Sequence, residues 1–183
     1  MKTFYKDQWG GGWTSRCKTL HELVHSVWNE CYTDHPIEHH NDPTYNKWID
    51  YSKFANHEEI SKTIGAFSSS ISFDASIILN GPVEWICKGI TRWDPGTRMQ
   101  PHIDAEPGWE DRELASIVYL NDDFVGGNLY FPHTDFPYSQ TTFQPAPGMH
   151  LLFPCAGEEF RHGVTEITEG VRYTLSGWLK RSA

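Results

Sequence analysis

The sequence predicts a mainly β domain with helices at its N-terminal end, and three observations support this fold class. Apolar residues recur every three to four positions in the first third of the chain, which is the spacing of one helix face. From about residue 82, short apolar or alternating runs are separated by Gly, Pro, Asn and Asp, as in sandwiches and barrels. No repeat, low-complexity tract or linker divides the chain. The 183 residues are therefore predicted to form one domain, 1–183, with helical support at about 14–65 and a β-core at about 82–180.

The composition limits the class of partner. The chain has 24 acidic and 15 basic residues, a formal net charge of −9, which disfavours binding to nucleic acid. The first 16 residues contain no apolar run long enough for a secretion signal or a membrane span, so we expect a cytoplasmic protein without membrane contact. The four cysteines form no CxxC motif, and we expect reduced, buried thiols rather than disulfides or a zinc-thiolate site.

Three helices are predicted in the N-terminal third. The first begins at residue 14 or 15, and its apolar face consists of Cys17, Leu20, Leu23, Val24, Val27, Trp28 and Cys31. Pro43 is placed to open a short second helix, which carries Trp48, Ile49 and Phe54. Asn56, with Glu59 three residues later, resembles a capping box for a third helix that ends near Gly65. Residues 66–79 fit strand, helix or loop equally well.

Six strands are predicted after residue 82, each bounded by residues that favour turns. They cover 83–93, 113–120, 127–132, 148–153, 160–167 and 170–180.

A histidine stands two residues before an acid at four places, and only a strand brings such a pair to one face. The pairs are His40/Asp42, His57/Glu59, His102/Asp104 and His133/Asp135. On a strand, residues i and i+2 lie about 6.6 Å apart on one face, whereas on a helix they do not face each other. The first pair falls in a polar loop and the second on a predicted helix. The fourth remains a competitor in a proline-flanked surface loop, so His102/Asp104 is the favoured metal-binding pair.

The third ligand and an anion-binding residue are sought downstream. His162 is the best candidate for the ligand, and His150 is its rival. Alternation along 170–180 places Arg172, Thr174, Ser176 and Trp178 on one face, opposite Val171, Tyr173, Leu175 and Leu179. A guanidinium beside two hydroxyls suits a carboxylate. Taken alone, the same pattern also fits a solvent-facing strand with Arg172 in a surface ion pair.

Together, these motifs resemble the iron- and 2-oxoglutarate-dependent dioxygenases, in particular the prolyl 4-hydroxylase-like branch. The matching runs are "WDPGTRMQPHID", "RELASIVYLNDDFVGGNLYFP", "FQPAPGMHLLF" and "FRHGVTEITEGVRYTLSGW", which span roughly residues 85–180 in the family's order. The resemblance implies a double-stranded β-helix (jelly-roll) core buttressed by helices. It also implies Fe(II), 2-oxoglutarate as cosubstrate, O2, and ascorbate as a candidate reductant.

The resemblance also implies roles for individual residues. His102, Asp104 and His162 match the iron ligands, and an aspartate at the second position implies hydroxylation rather than halogenation. The cosubstrate positions are matched by Arg172, Tyr119, Ser176 and Trp93. The last of these stands where the family commonly has tyrosine, and Met99 and Lys180 also depart from the family pattern. The substrate positions are matched by Arg112 and Trp178, and Trp109 lies in a predicted lid, 104–113, with a second lid at 132–142.

The implied substrate is a peptide or protein, with a proline-containing sequence as one option. Two alternatives stay open: an oxygenase of the same superfamily that acts on a free amino acid or small metabolite, and a non-catalytic metal-binding jelly-roll module. The sequence leaves the oligomeric state undetermined.

Overall fold

The computed structural model describes residues 5–32, 45–134 and 141–182. Strand β1 (Tyr5–Gln8) precedes helix α1 (Gly11–Cys31), which begins three residues earlier than predicted. The extra turn is held by packing, because the Trp13 ring lies 5.1 Å from Trp9 and 4.9 Å from Phe67. Among the described residues, no helix is both long and apolar enough to span a bilayer.

The prediction of a short second helix across residues 48–54 is wrong. Strand β2 (Lys47–Asp50) occupies its first half and pairs antiparallel with the next strand, with Trp48 opposite Thr91. A single 3-10 turn, Tyr51–Phe54, follows. A short apolar run cannot distinguish strand from helix by period alone, and here pairing at the sheet edge decided the outcome. Pro43 and His40/Asp42 lie outside the described residues.

The third helix is much longer than predicted. Helix α2 runs Glu58–Leu79, so the helical support extends past Gly65 to residue 79. The predicted capping box is also wrong, because His57 is the N-cap and makes no side-chain capping bond. The helix ends where Asn80 adopts a left-handed conformation, with φ 54°.

Ten further strands complete the β-core. They are β3 (Val83–Trp93), β4 (Met99–His102), β5 (Leu114–Tyr119), β6 (Phe124–Gly126), β7 (Leu129–Tyr130), β8 (Thr142–Phe143), β9 (Met149–Pro154), β10 (His162–Val164), β11 (Ile167–Gly170) and β12 (Arg172–Arg181). One sheet has the order β1-β9-β5-β12-β3-β2, a second has β4-β10-β7-β8, and β11 pairs with β6. All the described pairings are antiparallel, and the predicted mainly β fold with N-terminal helices is confirmed.

Strand β12 separates two apolar layers. Tyr173, Leu175 and Leu179 pack with α1 and α2 on the outer side of the six-stranded sheet. Arg172 and Trp178 face the cavity on its inner side, where the four-stranded sheet forms the opposite wall. The alternation read from the sequence therefore divides this strand between a helix-facing core and a cavity.

We predict that Gly89→Ala destabilises the fold while Gly65→Ala does not. A Cβ at Gly89 would collide with the carbonyl oxygen of Ile49 on β2 and lie 2.8 Å from the Trp48 ring, whereas nothing lies within 4 Å of one at Gly65. We expect a loss of about 1–3 kcal/mol at residue 89 and a gain of about 0.5–1 kcal/mol at residue 65. Urea denaturation measures both, and equal effects of the two substitutions would contradict this account.

Candidate active site

Two adjacent strands bring the three candidate metal ligands together. His102 ends β4 and His162 begins β10, and these two residues are directly opposite each other in the antiparallel pair. Asp104 follows β4 by two residues. The Asp104 carboxylate oxygens lie 3.4 Å from Nε2 of His102 and 3.8 Å from Nε2 of His162. One ligand atom from each residue falls within 4.8 Å of the other two, which is close enough for all three to contact one ion.

Hydrogen bonds to the backbone orient both imidazoles. Nδ1 of His102 lies 3.0 Å from the carbonyl oxygen of Gln100, and Nδ1 of His162 lies 3.1 Å from that of Phe160. A carbonyl oxygen only accepts, so Nδ1 carries the proton in both rings and donates it. The lone pair of each Nε2 is thereby left for a ligand, which is the usual arrangement of metal-binding histidines.

The electrostatics of this group favour a cation. Burial would raise the pKa of Asp104, but His162, His102 and a hydrogen bond from Trp178 outweigh it and hold that pKa below its usual range. Burial lowers the pKa of His162, which favours the neutral imidazole. Two imidazole nitrogens and one carboxylate on one face suit ferrous iron and leave further coordination positions open.

The competing histidines do not join this group. His150 lies on β9 with its ring 4.7 Å from Trp9, on the helix-facing side of the large sheet. His57 caps α2. Asp135, the partner of His133 in the remaining motif, lies outside the described residues. Among the residues that the structure describes, only His102, Asp104 and His162 form a possible metal cluster.

A cavity of about 470 Å³ opens beside the cluster and ends at a buried cation. Arg172 is 1% exposed, and its Nε and Nη1 atoms have no hydrogen-bond partner among the described residues. The indole N–H of Trp93 is likewise buried and without such a partner. An unpaired buried guanidinium is costly, and a carboxylate bound at this end would compensate its charge.

The surroundings of Arg172 consist mainly of hydrogen-bond donors. Its guanidinium carbon lies 4.8 Å from the Trp93 ring centroid and 5.1 Å from that of Tyr119. Burial raises the pKa of Tyr119, so its hydroxyl keeps its proton at neutral pH. Ser176 and Thr174 line the cavity with their hydroxyls 2.9 Å apart, whereas Tyr119 stands behind Arg172 rather than on the cavity surface. These groups fit the far carboxylate of a dicarboxylic acid.

The outer part of the cavity is aromatic. The guanidinium of Arg112 lies between two indole rings, 4.1 Å from that of Trp109 and 3.8 Å from that of Trp178. It also donates to the backbone oxygen of Asp104, at 3.3 Å. This contact ties the loop 104–113 to the metal-binding segment. The other predicted lid, 132–142, includes residues outside the described part of the chain.

Sequence reasoning missed one wall of the cavity. Tyr45, Asn46 and Trp48 line it from β2 and the residues just before that strand. The prediction of a helix in this segment did not place Trp48 at a ligand-binding surface. The spacing of Asn46 and Trp48, two residues apart as on one face of a strand, was the available signal.

The fold and site together define a jelly-roll domain in which a histidine–aspartate cluster that could hold a metal ion shares a cavity with a buried arginine. The family model described as the 2OG-Fe(II) oxygenase superfamily matches residues 89–180, half of the chain, and the chain belongs to this superfamily. The sequence is 38% identical to prolyl 3-hydroxylase 1 of Homo sapiens over 76 residues, which are 42% of this chain. The alignment covers 10% of the human protein, so this chain matches only a small part of that relative.

Two solved structures share the fold over the whole chain. A prolyl-4-hydroxylase from Pseudomonas putida superposes with a TM-score of 0.67 at 16% identity, covering 100% of this chain and 94% of that one. The viral collagen prolyl hydroxylase from Paramecium Bursaria Chlorella virus-1, in complex with 2OG, superposes with a TM-score of 0.63 at 17% identity. This superposition covers 100% of this chain and 97% of the viral one. At these identities the likeness establishes the jelly-roll fold.

We predict that Arg172→Met raises the stability of the ligand-free protein and that Arg92→Met does not. Replacing an uncompensated buried charge by an apolar chain of similar length removes its desolvation cost, so we expect a gain of about 1 kcal/mol or more and a rise in Tm of about 2–4 °C per kcal/mol. Arg92 bonds Asp94 at 2.7 Å, so its loss removes a formed ion pair. Thermal unfolding without metal or 2-oxoglutarate measures both. A lower Tm for Arg172→Met than for wild type would contradict the account.

A second prediction concerns the pH dependence of stability. Asp74 lies 3.8 Å from the His150 ring, but the ring is fully buried and burial lowers its pKa from 6.5 to about 3. Between these values the unfolded chain binds a proton at this residue and the folded chain does not, so acid favours unfolding.

The unfolding free energy of the metal-free protein should therefore lose about 3 kcal/mol from this histidine between pH 6.5 and pH 4. His150→Gln should show a correspondingly shallower pH dependence, while the metal-binding histidines contribute equally to both proteins. Denaturant titrations at several pH values measure the difference. Parallel curves would show that His150 does not carry this effect.

Proposed function

We propose that the chain is an Fe(II)- and 2-oxoglutarate-dependent dioxygenase that hydroxylates a C–H bond of a peptidyl or protein substrate and releases succinate and CO2. The observation that carries this proposal is the shared cavity, which joins the His102–Asp104–His162 cluster to the unpaired guanidinium of Arg172. A metal site without Arg172 would fit many metalloproteins, and a buried arginine without the cluster would fit many anion receptors.

Each residue has a role in the proposal. His102, Asp104 and His162 hold the iron through two nitrogens and one oxygen. Arg172 binds the far carboxylate of 2-oxoglutarate as a planar two-donor partner. The Trp93 indole N–H and the Ser176 hydroxyl, which line the cavity beside it, add to this binding, and Tyr119 contributes by packing against the guanidinium.

The bound iron and cosubstrate supply the oxidising chemistry, with O2 as oxidant and ascorbate as the reductant that keeps the iron ferrous. The chain supplies placement and exclusion of water. Phe131 and Phe153 pack at 5.8 Å and 4.8 Å from the His162 ring and shield it from the inner side. Arg112 and Trp178 cover Asp104 from the outer side. Loop 104–113, which carries Trp109, is then the part of the chain that closes over the substrate.

The outer part of the cavity supports a peptidyl substrate over a free amino acid. A free amino acid carries an ammonium group, whose charge an acidic side chain would compensate when it is buried. Asp104 is the one acidic residue among the described residues that line the cavity, and it belongs to the metal cluster. The blocked, neutral backbone of a peptide needs no such partner, and apolar rings pack well on indole faces. The prolyl hydroxylases named above support a prolyl residue as the target.

Formation of succinate from 2-oxoglutarate, with Fe(II) and air, tests the proposal most simply. Wild type should form succinate, and Arg172→Ala should bind 2-oxoglutarate about 30- to 1000-fold more weakly because it lacks the partner of the carboxylate. Arg16→Ala is the matched control. Arg16 is an exposed arginine on α1, where its guanidinium packs on the Trp13 ring outside the cavity lining, and its loss should leave turnover unchanged.

The substrate class is tested with blocked proline-containing peptides and free amino acids, by a mass gain of one oxygen atom. Oxygen addition to the peptides alone supports the proposal. Oxygen addition to free amino acids alone would contradict a peptidyl substrate and identify a small metabolite as the substrate class. An absence of succinate in every condition would favour the metal-binding module.

A further inference from the structure

Strand β2 contributes an aromatic side chain to the substrate side of the cavity. Trp48 is directly opposite Thr91 in the β2–β3 pair, and directly opposed side chains lie on the same face of a sheet. Both residues line the cavity. The indole of Trp48 is partly exposed there, so it is accessible to a ligand.

The position of this indole depends on a glycine in the neighbouring strand. A Cβ at Gly89 would lie 2.8 Å and 2.9 Å from two atoms of the Trp48 ring, well inside van der Waals contact. Gly89 stands between Cys87 and Thr91 on the cavity face of β3, so the missing side chain leaves the space that the ring occupies. The indole therefore rests directly on the backbone of β3.

Trp48 extends a stack of rings that begins at the metal cluster. Trp178 is the inner member, because its indole hydrogen-bonds the Asp104 carboxylate. The Trp48 ring lies 6.0 Å from the Trp178 ring, tilted by 32°. Trp48 is thus one ring further from the cluster than Trp178, at about the distance between same-face side chains two residues apart in an extended peptide.

We propose that Trp48 is a specificity-determining residue, which binds an apolar side chain two residues away from the one that is hydroxylated. This inference rests on the proposed function of the same cavity. The wall around Trp48 is formed by Tyr45, Asn46 and Cys87, none of which carries a charge at neutral pH. An aliphatic or cyclic side chain loses little on this surface and gains contact with the indole, whereas a neutral polar side chain loses hydration on it.

The test measures peptide selectivity by binding, so it does not require turnover. Two blocked heptapeptides of equal length, each with a central proline, carry either leucine or asparagine two residues to each side of that proline. Asparagine has nearly the same size as leucine and no charge that could pair with Arg112. Isothermal titration is performed with protein that holds 2-oxoglutarate and Mn(II), a redox-inert substitute for Fe(II). Wild type should bind the leucine peptide about tenfold more tightly than the asparagine peptide.

Two substitutions of Trp48 separate the indole surface from a general disturbance of β2. Trp48→Ala should reduce the preference to about twofold or less, and Trp48→Phe should keep most of it, because a smaller ring still covers Gly89. Phe73→Ala is the control on α2, where Phe73 is 67% exposed, and it should retain the wild-type preference.

An equal affinity of wild type for both peptides, or binding of neither, would overturn the proposal. So would an unchanged preference in Trp48→Ala. These outcomes are distinct from failure of the proposed function, which is judged by the absence of succinate formation in wild type.

Discussion

Two buried charges that the folded chain does not fully compensate dominate this site. The carboxylate of Asp104 has two imidazoles and hydrogen-bond donors beside it but no arginine or lysine paired with it, and Arg172 has no carboxylate within reach of its Nε and Nη1 atoms among the described residues. In a low-dielectric interior each charge is costly unless it is paired. A divalent cation bound at Asp104 and a carboxylate bound at Arg172 would compensate both charges and remove their desolvation costs. Binding and stability are therefore linked: the same electrostatics that weaken the empty protein would strengthen the loaded one.

The fold tolerates these charges because strand β12 packs one face against the helices and turns its other face toward the cavity. The odd-numbered residues Tyr173, Leu175 and Leu179 bury β12 against the helices, and this packing leaves the opposite face of the strand free to carry polar groups. The two helices thus support the site without contributing a metal ligand among the described residues. The antiparallel register of β4 and β10 then fixes the two histidines opposite each other, so their separation is set by backbone hydrogen bonds rather than by flexible loops.

The sequence predicted the parts that depend on alternation and missed those that depend on tertiary packing. The alternation in 170–180 placed Arg172 and Trp178 on one face, and the spacing of His102 and Asp104 identified a pair that the structure joins to His162. The helix beyond Gly65 was not predictable, because its serines are weak helix formers. Burial of Phe67 and Ile71 against the sheet overrides that weakness. In β2 a short apolar run fits a helix and a strand equally. The strand forms because Gly89 on the neighbouring strand has no side chain and so leaves room for β2 and the Trp48 ring.

The central claim is that the histidine–aspartate cluster and Arg172 form two ends of one receptor for a single molecule. Isothermal titration of 2-oxoglutarate into the protein, with Mn(II) and after treatment with a chelator, tests this claim directly. The account predicts one binding site in the presence of the metal and an affinity at least about tenfold lower without it, because the metal and the guanidinium each hold one end of the ligand. The same affinity in both conditions would contradict it, since the carboxylate end would then bind without any contribution from the cluster.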